Sequence, residues 1–493
     1  MKKICYLSLF LVLYLIGCQK DNVENLPDKP NKTDTIAQAL SFKFIGLKRK
    51  DRRLVDISWT DATGSGVDTT LKYSVSLNGK VIAANLKTTT YTLTDIYATI
   101  AYPGQITATN SKGLSVKVNF NIDTEKGFIY SNSDAEYFSC YTVDGLFVWE
   151  QKIGLGSFAA ISNDTLFVQG HVLNYNTAAI YALDIKTGQI DWFKDARLPY
   201  YPDFQDVIYD HGVVYEVGKT EMYAFDSRNG QQLWHSAKFH LDKPIAANGV
   251  LYCLDYDVAN NYYLRAYDGR SGIEKWHYKT RDVVLGLPIE SNGAIYMIEG
   301  HPTGNFSSLW VSDMCSFDAK TGVKKVMCRL RGSPGYEGPQ SRPLVIGNNV
   351  FVSLLGDTGS ENNLFAIDKT TERVIWEGFA GNGYLTGDAA NLFVYSLPYA
   401  IHKIDIKAGK PIWQKDNVPE YMVFSPEKLL LHNDIASHYG SLTPTPFKVY
   451  NNQTGNSEIT SLPGIKMVGP FTLILNGNVY YLPQSGMHRG HKL

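Results

Sequence analysis

Strict alternation of apolar and polar residues marks the first patterned part of this 493-residue chain. Residues 39–122 contain four such stretches, which begin at Val55, Leu71, Tyr91 and Gly104. Alternation of this kind predicts β-strands that bury one face. We therefore predict a separate unit of half-buried β-strands, about 85 residues long, at positions 39–123.

Apolar runs of a second kind recur between residue 125 and the C-terminus. Each follows Asn-Gly or a related pair, and the clearest pairs are His211-Gly212, Asn248-Gly249, Asn292-Gly293 and Asn476-Gly477. Asn-Gly between apolar runs is the strongest short signal for a β-hairpin. A series of hairpins is therefore predicted for this part of the chain.

A short phrase recurs beside these hairpins: an aspartate, then in most copies Thr-Gly or a lone Gly, and in five copies a tryptophan eight residues after the aspartate. Two weaker copies, at Asp318 and Asn451, lack the tryptophan, and in the copy at Asp144 the turn is three residues shorter. The eight anchor positions lie 37 to 50 residues apart, and they are Asp144, Asp184, Asp226, Asp268, Asp318, Asp368, Asp405 and Asn451. A repeat of that length indicates a solenoid, a propeller or an array. Two hairpins in each repeat make four strands, which is one propeller blade.

The residue types of the phrase suit a tight turn followed by a packing contact. The Asp side chain bonds the backbone that follows it, and the Gly adopts a left-handed conformation. The large flat indole suits packing against the next blade, helped by a small residue two before the Asp. The tryptophans predicted to dock blades are Trp149, Trp192, Trp234, Trp276, Trp376 and Trp413. The weaker copy at Asp318 has Val326 in the same frame.

This phrase is similar to the tryptophan docking motif of the quinoprotein-type, or PQQ-like, β-propeller repeats. The resemblance covers residues 125–493 and implies an all-β chain with an eight-bladed, or alternatively seven-bladed, propeller. The strands of residues 472–482 would complete the first blade and close the ring. The unit at positions 39–123 has a lone tryptophan, Trp59, in an early strand, a turn at Asn78-Gly79 and a Tyr-x-Leu stretch at Tyr91. In these features and in length it resembles a fibronectin type III or immunoglobulin-like sandwich, for which a spacer role is expected.

The N-terminus resembles that of a bacterial lipoprotein. Lys2 and Lys3 precede an apolar run that is too short to span a membrane, and residues 15–18 read Leu-Ile-Gly-Cys. This matches a lipobox, so residues 1–17 are predicted to be a signal peptide and Cys18 the lipidated first residue. Residues 18–38 are polar and predict a flexible tether. The charged residues after Cys18 resemble export signals to the cell surface, with a periplasm-facing outer-membrane lipoprotein as the alternative.

Charge and cysteine content exclude several function classes. The formal net charge is -1, and it becomes -3 without the two lysines of the signal peptide, so no nucleic-acid partner is expected. Cys140, Cys253, Cys315 and Cys328 are scattered and do not match a disulfide framework or a zinc site. The sequence leaves open whether Cys315 and Cys328 form a disulfide bridge or are buried free thiols.

The resemblance raises a quinone-dependent dehydrogenase as a hypothesis. Such enzymes hold the quinone with calcium, a catalytic carboxylate and typically two adjacent cysteines, and the sequence contains no Cys-Cys pair. Asp255 and Asp257 lack the Gly and Glu of a calcium hand. No catalytic residue, metal or cofactor is therefore predicted, and a quinone-dependent or carbohydrate-active enzyme stays an alternative.

Segments that join one blade to the next are expected at one rim of the propeller, and several are rich in aromatic residues. Such residues on loops of a rigid scaffold suit the binding of glycans or protein segments. The candidate rim residues are Tyr200, Tyr201, Phe204, Tyr336, Arg342 and Tyr384. The leading hypothesis is a non-enzymatic, lipid-anchored envelope protein that docks a protein or polysaccharide, as a monomer or within an envelope complex. A factor similar to the propeller lipoprotein of the outer-membrane β-barrel assembly machinery is an alternative.

Overall fold

A computed structural model describes most of residues 40–481 of this chain. The gaps are residues 52, 65–69, 126, 133–136, 143–145, 155–156, 172–176, 200–205, 218–220, 238–243, 258–260, 281–283, 303–309, 333–341, 356–361, 380–382, 397–399, 417–420, 425–427, 433–446, 460–467 and 476–477. The predicted signal peptide, Cys18 and the tether lie outside the described residues. Within the described ranges every regular element is a β-strand, and no helix there could cross a membrane.

Two sheets form the N-terminal sandwich. The first has the strand order β1-β2-β5 and the second β4-β3-β6-β7. The strands are β1 Phe44–Asp51, β2 Leu54–Trp59, β3 Lys72–Leu77, β4 Lys80–Leu86, β5 Thr90–Leu93, β6 Tyr102–Thr109 and β7 Ser115–Ile122. Their alternation places Val55, Ile57 and Trp59 of β2 in the core between the sheets. The Trp59 ring lies 5.5 Å from that of Tyr73 in an edge-on contact.

Eight further sheets follow, and six of them are formed by four consecutive strands in chain order. Their strands are β11 Ser157–Ser162, β12 Thr165–His171, β13 Thr177–Asp184, β14 Ile190–Pro199; β15 Asp206–Asp210, β16 Val213–Val217, β17 Met222–Asp226, β18 Gln232–Ser236; β19 Ile245–Ala247, β20 Val250–Tyr256, β21 Tyr262–Asp268, β22 Glu274–Lys279; β28 Leu344–Ile346, β29 Asn349–Leu355, β30 Asn362–Asp368, β31 Arg373–Phe379; β32 Gly383–Gly387, β33 Leu392–Ser396, β34 Ala400–Ile404, β35 Pro411–Lys415; and β36 Tyr421–Phe424, β37 Lys428–His432, β38 Phe447–Asn451, β39 Ser457–Ile459.

The other two sheets have five strands each. One contains β23 Val284–Leu285, β24 Ile289–Ser291, β25 Ala294–Pro302, β26 Trp310–Asp318 and β27 Lys324–Arg331. The other joins both ends of the repeat region, in the order β10-β9-β8-β40-β41. Its strands are β8 Gly127–Asn132, β9 Tyr137–Thr142, β10 Phe147–Lys152, β40 Val468–Leu475 and β41 Asn478–Tyr481. The pairing of β40 with β8 therefore links the C-terminal strands to the first repeat.

Successive sheets pack against each other through their first strands. β11 contacts β15, β15 contacts β19, and β28 contacts β32, while β40 contacts both β36 and β11. These contacting strands therefore lie toward the inside of the arrangement, and the opposite edge of each sheet, such as β10, β14 and β18, lies outside. Apolar clusters fill the seams, such as the one joining Tyr252 and Ala266 of one sheet to Ile295 and Phe317 of the next.

Each Asn-Gly pair predicted to turn a hairpin adopts the expected left-handed backbone where it is described. Asn248 and Gly249 have φ values of 55° and 76°, and the pair at Asn292 and Gly293 is nearly identical at 54° and 79°. Two successive positive φ angles belong to the type I′ turn, which matches the twist of the strands it joins.

The sandwich is packed against the repeat region through the segment between β5 and β6. Ala98 is fully buried in a cluster that includes Tyr130, Trp149 and Leu166. Beside it, the Thr99 hydroxyl donates a 2.6 Å hydrogen bond to the carbonyl oxygen of Lys186. The two parts thus share an apolar contact and a hydrogen bond, in addition to the chain that connects them.

Candidate functional site

The edge of the repeat region that carries the Asp turns, here called the turn rim, is built from local hydrogen bonds. Asp184 Oδ1 accepts bonds from the backbone N–H groups of Lys186 (3.0 Å) and Thr187 (2.8 Å), and from the Thr187 hydroxyl (2.8 Å). Asp318 accepts the same set from Lys320 and Thr321. Bonds from Thr321 lower the pKa of the Asp318 carboxyl because they favour the charged form. These aspartates are held as structural acceptors.

The phrase also fastens each sheet to the next one. Each indole Nε1 donates to the backbone oxygen that follows the Asp or Asn of the next copy: Trp149 to Ile185 (3.1 Å), Trp192 to Ser227 (3.0 Å), Trp234 to Gly269 (2.9 Å), Trp276 to Ala319 (3.0 Å), Trp376 to Ile406 (2.8 Å) and Trp413 to Asn452 (3.3 Å). The indole lies over the turn glycine of that next copy, where a Cβ would come within 2.4–2.9 Å of the ring. The glycine therefore both permits the turn and receives the tryptophan. We call this contact the Trp–Gly clasp.

The seam between the β23–β27 and β28–β31 sheets lacks the clasp, and there the frame expected for Val326 is wrong. The strand irregularity in β27 is displaced, so Lys325 lies opposite Ser316, whereas Val326 lies opposite Cys315. In the next sheet Glu372, with φ of 58°, stands where the other copies have glycine. Lys325 Nζ and Glu372 Oε1 lie 2.5 Å apart. An ion pair therefore replaces the tryptophan and the glycine at this seam.

The opposite edge, here called the loop rim, is where strands enter the segments proposed to bind partners. β14 ends there at Pro199, paired with Thr177 far from the Asp184 turn. Tyr200, Tyr201, Phe204 and Tyr336 lie outside the described residues. The backbone of Tyr384 pairs with Tyr395 at the start of β32. Arg342 is only 7% exposed and is covered by the protein itself.

Buried carboxylates line three consecutive seams near the loop rim. Glu216 accepts a 2.7 Å hydrogen bond from Gln169 of the preceding sheet. Asp255 bonds Arg265 at 2.8 Å, and Arg265 also bonds Glu274 at 2.8 Å. In the third seam Lys324 contacts Glu299 and donates a 2.9 Å bond to Tyr278 of the preceding sheet. Because each acid has a polar or cationic partner, these groups serve the seams rather than an open site.

Aromatic and imidazole groups that are more exposed than these carboxylates lie on the same sheets. The Tyr223 and His235 rings stack with centroids 4.4 Å apart. In the next sheet the Arg265 guanidinium lies 4.2 Å from the centroid of the Tyr263 ring, which His277 meets edge-on at 5.8 Å. His235 and His277 immediately follow docking tryptophans in the sequence. The sequence could have pointed to these two histidines because each follows a docking tryptophan. It could not show which rings they contact, because those rings lie on neighbouring strands.

Each of three histidines in this part of the chain also lies beside a carboxylate. His235 is 3.5 Å from Glu221, His277 is 2.7 Å from Glu274, and His301 is 3.5 Å from Asp313. Imidazole, phenol and guanidinium groups can form hydrogen bonds and stacking contacts with a partner. The arrangement is therefore suited to recognition.

The described thiols do not fit the ring disulfide of a quinone site. Cys315 packs toward Tyr252 and Ala266 of the preceding sheet, whereas Cys328 packs toward Val350 and Phe365 of the following one. The two side chains point to opposite faces of the sheet, which resolves the open question because both are free thiols. Burial raises the pKa of Cys315 to about 12 and that of Cys328 to about 11, so neither is a ready thiolate. Among the described residues no three His, Cys, Asp or Glu groups are placed to share a metal ion.

Comparison with known families identifies the repeat region. The family described as outer membrane protein assembly factor BamB matches residues 111–238 and 205–415, which together span more than half of the chain. The chain belongs to this family. The predictions of an all-β, propeller-type chain and of PQQ-like repeats are thereby confirmed. No curated protein matches this BamB family member.

Solved structures similar to this BamB family member have low sequence identity. BamB from Moraxella catarrhalis is 15% identical over 62% of this chain and 88% of its own, with a TM-score of 0.43. The quinohemoprotein alcohol dehydrogenase from Comamonas testosteroni is 12% identical over 69% and 73%, with a TM-score of 0.45. AztD from Citrobacter koseri is 11% identical over 71% and 97%, with a TM-score of 0.46.

Proposed function

We propose that this chain is a lipid-anchored, non-enzymatic protein of the cell envelope, whose propeller docks a protein or polysaccharide through the loop rim. The proposal includes eight blades, a fibronectin type III-like sandwich and an acylated Cys18. Eight sheets in contact and the pairing of β40 with β8 support an eight-bladed ring. The BamB family match supports an envelope location.

The observation that carries the binding function is the group of exposed side chains on β17, β18, β21 and β22, on the loop-rim side of the docking tryptophans. His277 and His235 are about half and one third exposed, and Tyr223 and Tyr263 are within ring contact of them. Aromatic and polar groups together on a rigid scaffold favour recognition, because little side-chain entropy is lost on binding.

The test compares partner capture by variants of the two rims. Chemical cross-linking in intact cells should recover fewer partner molecules with a His235→Ala/His277→Ala variant than with the wild type. The matched control is Lys407→Ala/Lys410→Ala, which changes two exposed residues of the turn rim. Equal recovery from all three proteins would reject the loop rim as the binding surface.

A role as an outer-membrane assembly factor is the second candidate, and the family description favours it. If it holds, cells without this protein should contain less folded outer-membrane β-barrel protein, and expression from a plasmid should restore the level. Unchanged barrel levels in the deletion strain would exclude this role. The loop-rim cross-linking experiment would still stand on its own.

Two further experiments address location and chemistry. Protease treatment of intact cells should release the propeller if the protein is displayed at the cell surface, whereas full protection would place it on the periplasmic side. Addition of the quinone and calcium to purified protein should produce no dye reduction with alcohols or sugars. Reproducible turnover would establish the enzyme alternative instead.

A further inference from the structure

The near-neutral charge of the whole chain conceals two parts of opposite sign. Residues 40–122 contain eight Lys and three Arg against five Asp and no Glu, a formal charge of +6. Residues 123–493 contain 31 basic and 39 acidic residues, a formal charge of -8. Strong charge asymmetry within one chain indicates a polyanionic surface as a partner of the basic part. The sandwich, and not the repeat region, is that basic part.

Strand topology separates the two ends of the sandwich. The end near the repeat region contains the segment between β5 and β6, where the Ile96 N–H bonds the Arg53 carbonyl oxygen. The opposite end, here called the tether pole, contains the start of β1, the start of β3 and the β6–β7 turn. Lys72 pairs with Thr109, Thr109 pairs with Ser115, and Tyr73 pairs with Leu86. These elements therefore end on the same side of the sandwich.

Four exposed lysines and one exposed leucine lie at the tether pole. The lysines are Lys43, Lys72, Lys87 and Lys112. Leu114, in the turn between β6 and β7, is 50% exposed. Asp61 is the acidic residue that the structure describes at this pole, and no ion pair to any of the four lysines is found among the described residues. Their charges are thus available to an external anion.

The N-terminal segment is attached at this same pole. Ser41 pairs with Thr63, and Lys43 exchanges hydrogen bonds with Thr60, so the chain that precedes residue 40 leaves from the lysine-rich side. If the 21 residues between Cys18 and residue 40 form the flexible tether that their composition predicts, they would span about 25 Å. If Cys18 is acylated as proposed above, the tether pole stays close to a membrane surface, where weak attraction is enough to orient it.

We propose that the tether pole is a membrane-docking surface, on which Lys43, Lys72, Lys87 and Lys112 bind anionic phospholipid headgroups and Leu114 enters the interface. This inference rests on the proposed lipid anchor for its cellular setting, but the surface itself is a property of the sandwich. Exposed lysines near an anionic bilayer each add roughly fivefold to binding, and the attraction falls off within a Debye length. Contacts of Ala98 and Thr99 with the repeat region would then set the orientation of the propeller relative to the membrane.

The test uses the mature chain without its acyl group, residues 19–493, and vesicles of phosphatidylglycerol with phosphatidylethanolamine. Co-sedimentation should show binding at low salt that is lost at 0.5 M salt, and no binding to phosphatidylcholine vesicles. A Lys43→Gln/Lys87→Gln/Lys112→Gln variant should bind about a hundredfold more weakly. The matched control, Lys320→Gln/Lys407→Gln/Lys410→Gln, makes the same charge change at exposed turns of the repeat region and should bind like the wild type.

Several outcomes would overturn the proposal. Equal weakening by both triple variants would show that only net charge matters, and equal binding to phosphatidylcholine would show that headgroup charge does not. Complete displacement by a soluble anionic polysaccharide at low salt would make the pole a glycan site instead. Acylation of Cys18 is measured separately by mass spectrometry of the native protein, so a failure of the anchor and a failure of the docking surface can be told apart.

Discussion

At the scale of single residues, the repeated phrase combines a turn and a contact in the same few atoms. The turn glycine needs a positive φ and also leaves room for the indole of the preceding sheet, as Gly272 does for Trp234. These two requirements can be separated by comparison with a glycine that has an equally left-handed backbone but no atom near the position of its missing Cβ. Gly249 is such a residue and belongs to the same sheet, because nothing lies within 4 Å of its missing Cβ.

Replacement of Gly272 by Ala should therefore cost more stability than replacement of Gly249 by Ala. Both substitutions place a Cβ on a residue with φ near 70°, which costs on the order of 1 kcal/mol. Only the Gly272 variant also forces a Cβ to within 2.8 Å of the Trp234 ring. The extra overlap should add about 1–3 kcal/mol to the loss in free energy of unfolding, measured by denaturant titration. Equal losses would show that the clasp contributes nothing beyond the turn.

Asp226 is the turn aspartate with the strongest electrostatic contacts, and it predicts a pH dependence. Hydrogen bonds from Arg228, and then from Arg270 of the next sheet, lower the pKa of its carboxyl well below the ordinary range. The charged form is thus favoured in the folded state, so its stabilising effect is present above pH 4 and is lost as the pH falls further. Asp226→Asn should be less stable than the wild type at pH 7, with a difference that narrows between pH 4 and pH 2.

The control for this pH dependence is Asp164→Asn, which removes an ion pair with Lys186 in which the aspartate side chain is 67% exposed. Exposed pairs contribute little to stability, so this variant should follow the wild type at every pH. The free energy of unfolding is compared at pH 7, 4, 3 and 2. A constant difference between Asp226→Asn and the wild type over that range would contradict the assignment.

The residues of the clasp show what the sequence allows one to predict at this scale. The docking tryptophans and the turn aspartates were visible as a repeat, because their spacing is constant. The second role of the glycine, which is to leave room for the indole, was not visible in the sequence. The partner of Gly272 is Trp234, which lies 38 residues earlier in the preceding copy. The exposed rings of His235 and Tyr223 were missed for a similar reason, because strand pairing brings them together.

At the scale of elements, the seam between the β23–β27 and β28–β31 sheets differs from those with a clasp. The irregularity in β27 moves Lys325 into the position opposite the small residue, and Glu372 replaces the glycine in the next sheet. Sequence spacing predicted Val326 at the docking position, because Val326 lies eight residues after Asp318. The irregularity that moves Lys325 to this position does not change the number of residues and so leaves no trace in the sequence. The Lys325 side chain is 64% exposed, so its ion pair stabilises this seam less than a buried indole would.

A double-mutant cycle at Lys325 and Glu372 tests whether a Trp–Gly clasp can take the place of the ion pair at this seam. Lys325→Trp alone should be destabilising, because the Glu372 side chain occupies the place of the turn glycine. Glu372→Gly alone loses the ion pair. The double variant should restore a Trp–Gly clasp, with a favourable coupling of about 1–3 kcal/mol in the free energy of unfolding. Additive effects of the two substitutions would mean that the seam does not accept the clasp.

At the scale of the whole molecule, the sandwich and the repeat region act as joined parts of opposite charge. The charges of the two parts can be counted from the sequence, but they nearly cancel in the net charge of the whole chain. The direction in which the lysines point could not be predicted, because it follows from which strand ends share a pole. The burial of Ala98 in the cluster that contains Trp149 was equally invisible, since the β5–β6 segment resembles an ordinary connection.

This junction predicts that the sandwich is held on the propeller rather than linked to it loosely. Ala98 is fully buried against aromatic residues of the first sheet, so Ala98→Asp would place a charge in an apolar contact. The variant should release the sandwich, and small-angle scattering should record a larger radius of gyration with little change in β-sheet content. Ala101→Asp is the matched control, because Ala101 lies three residues further on and is exposed. If both variants scatter like the wild type, the contact does not hold the two parts together, and membrane contact at the tether pole would leave the propeller free to rotate.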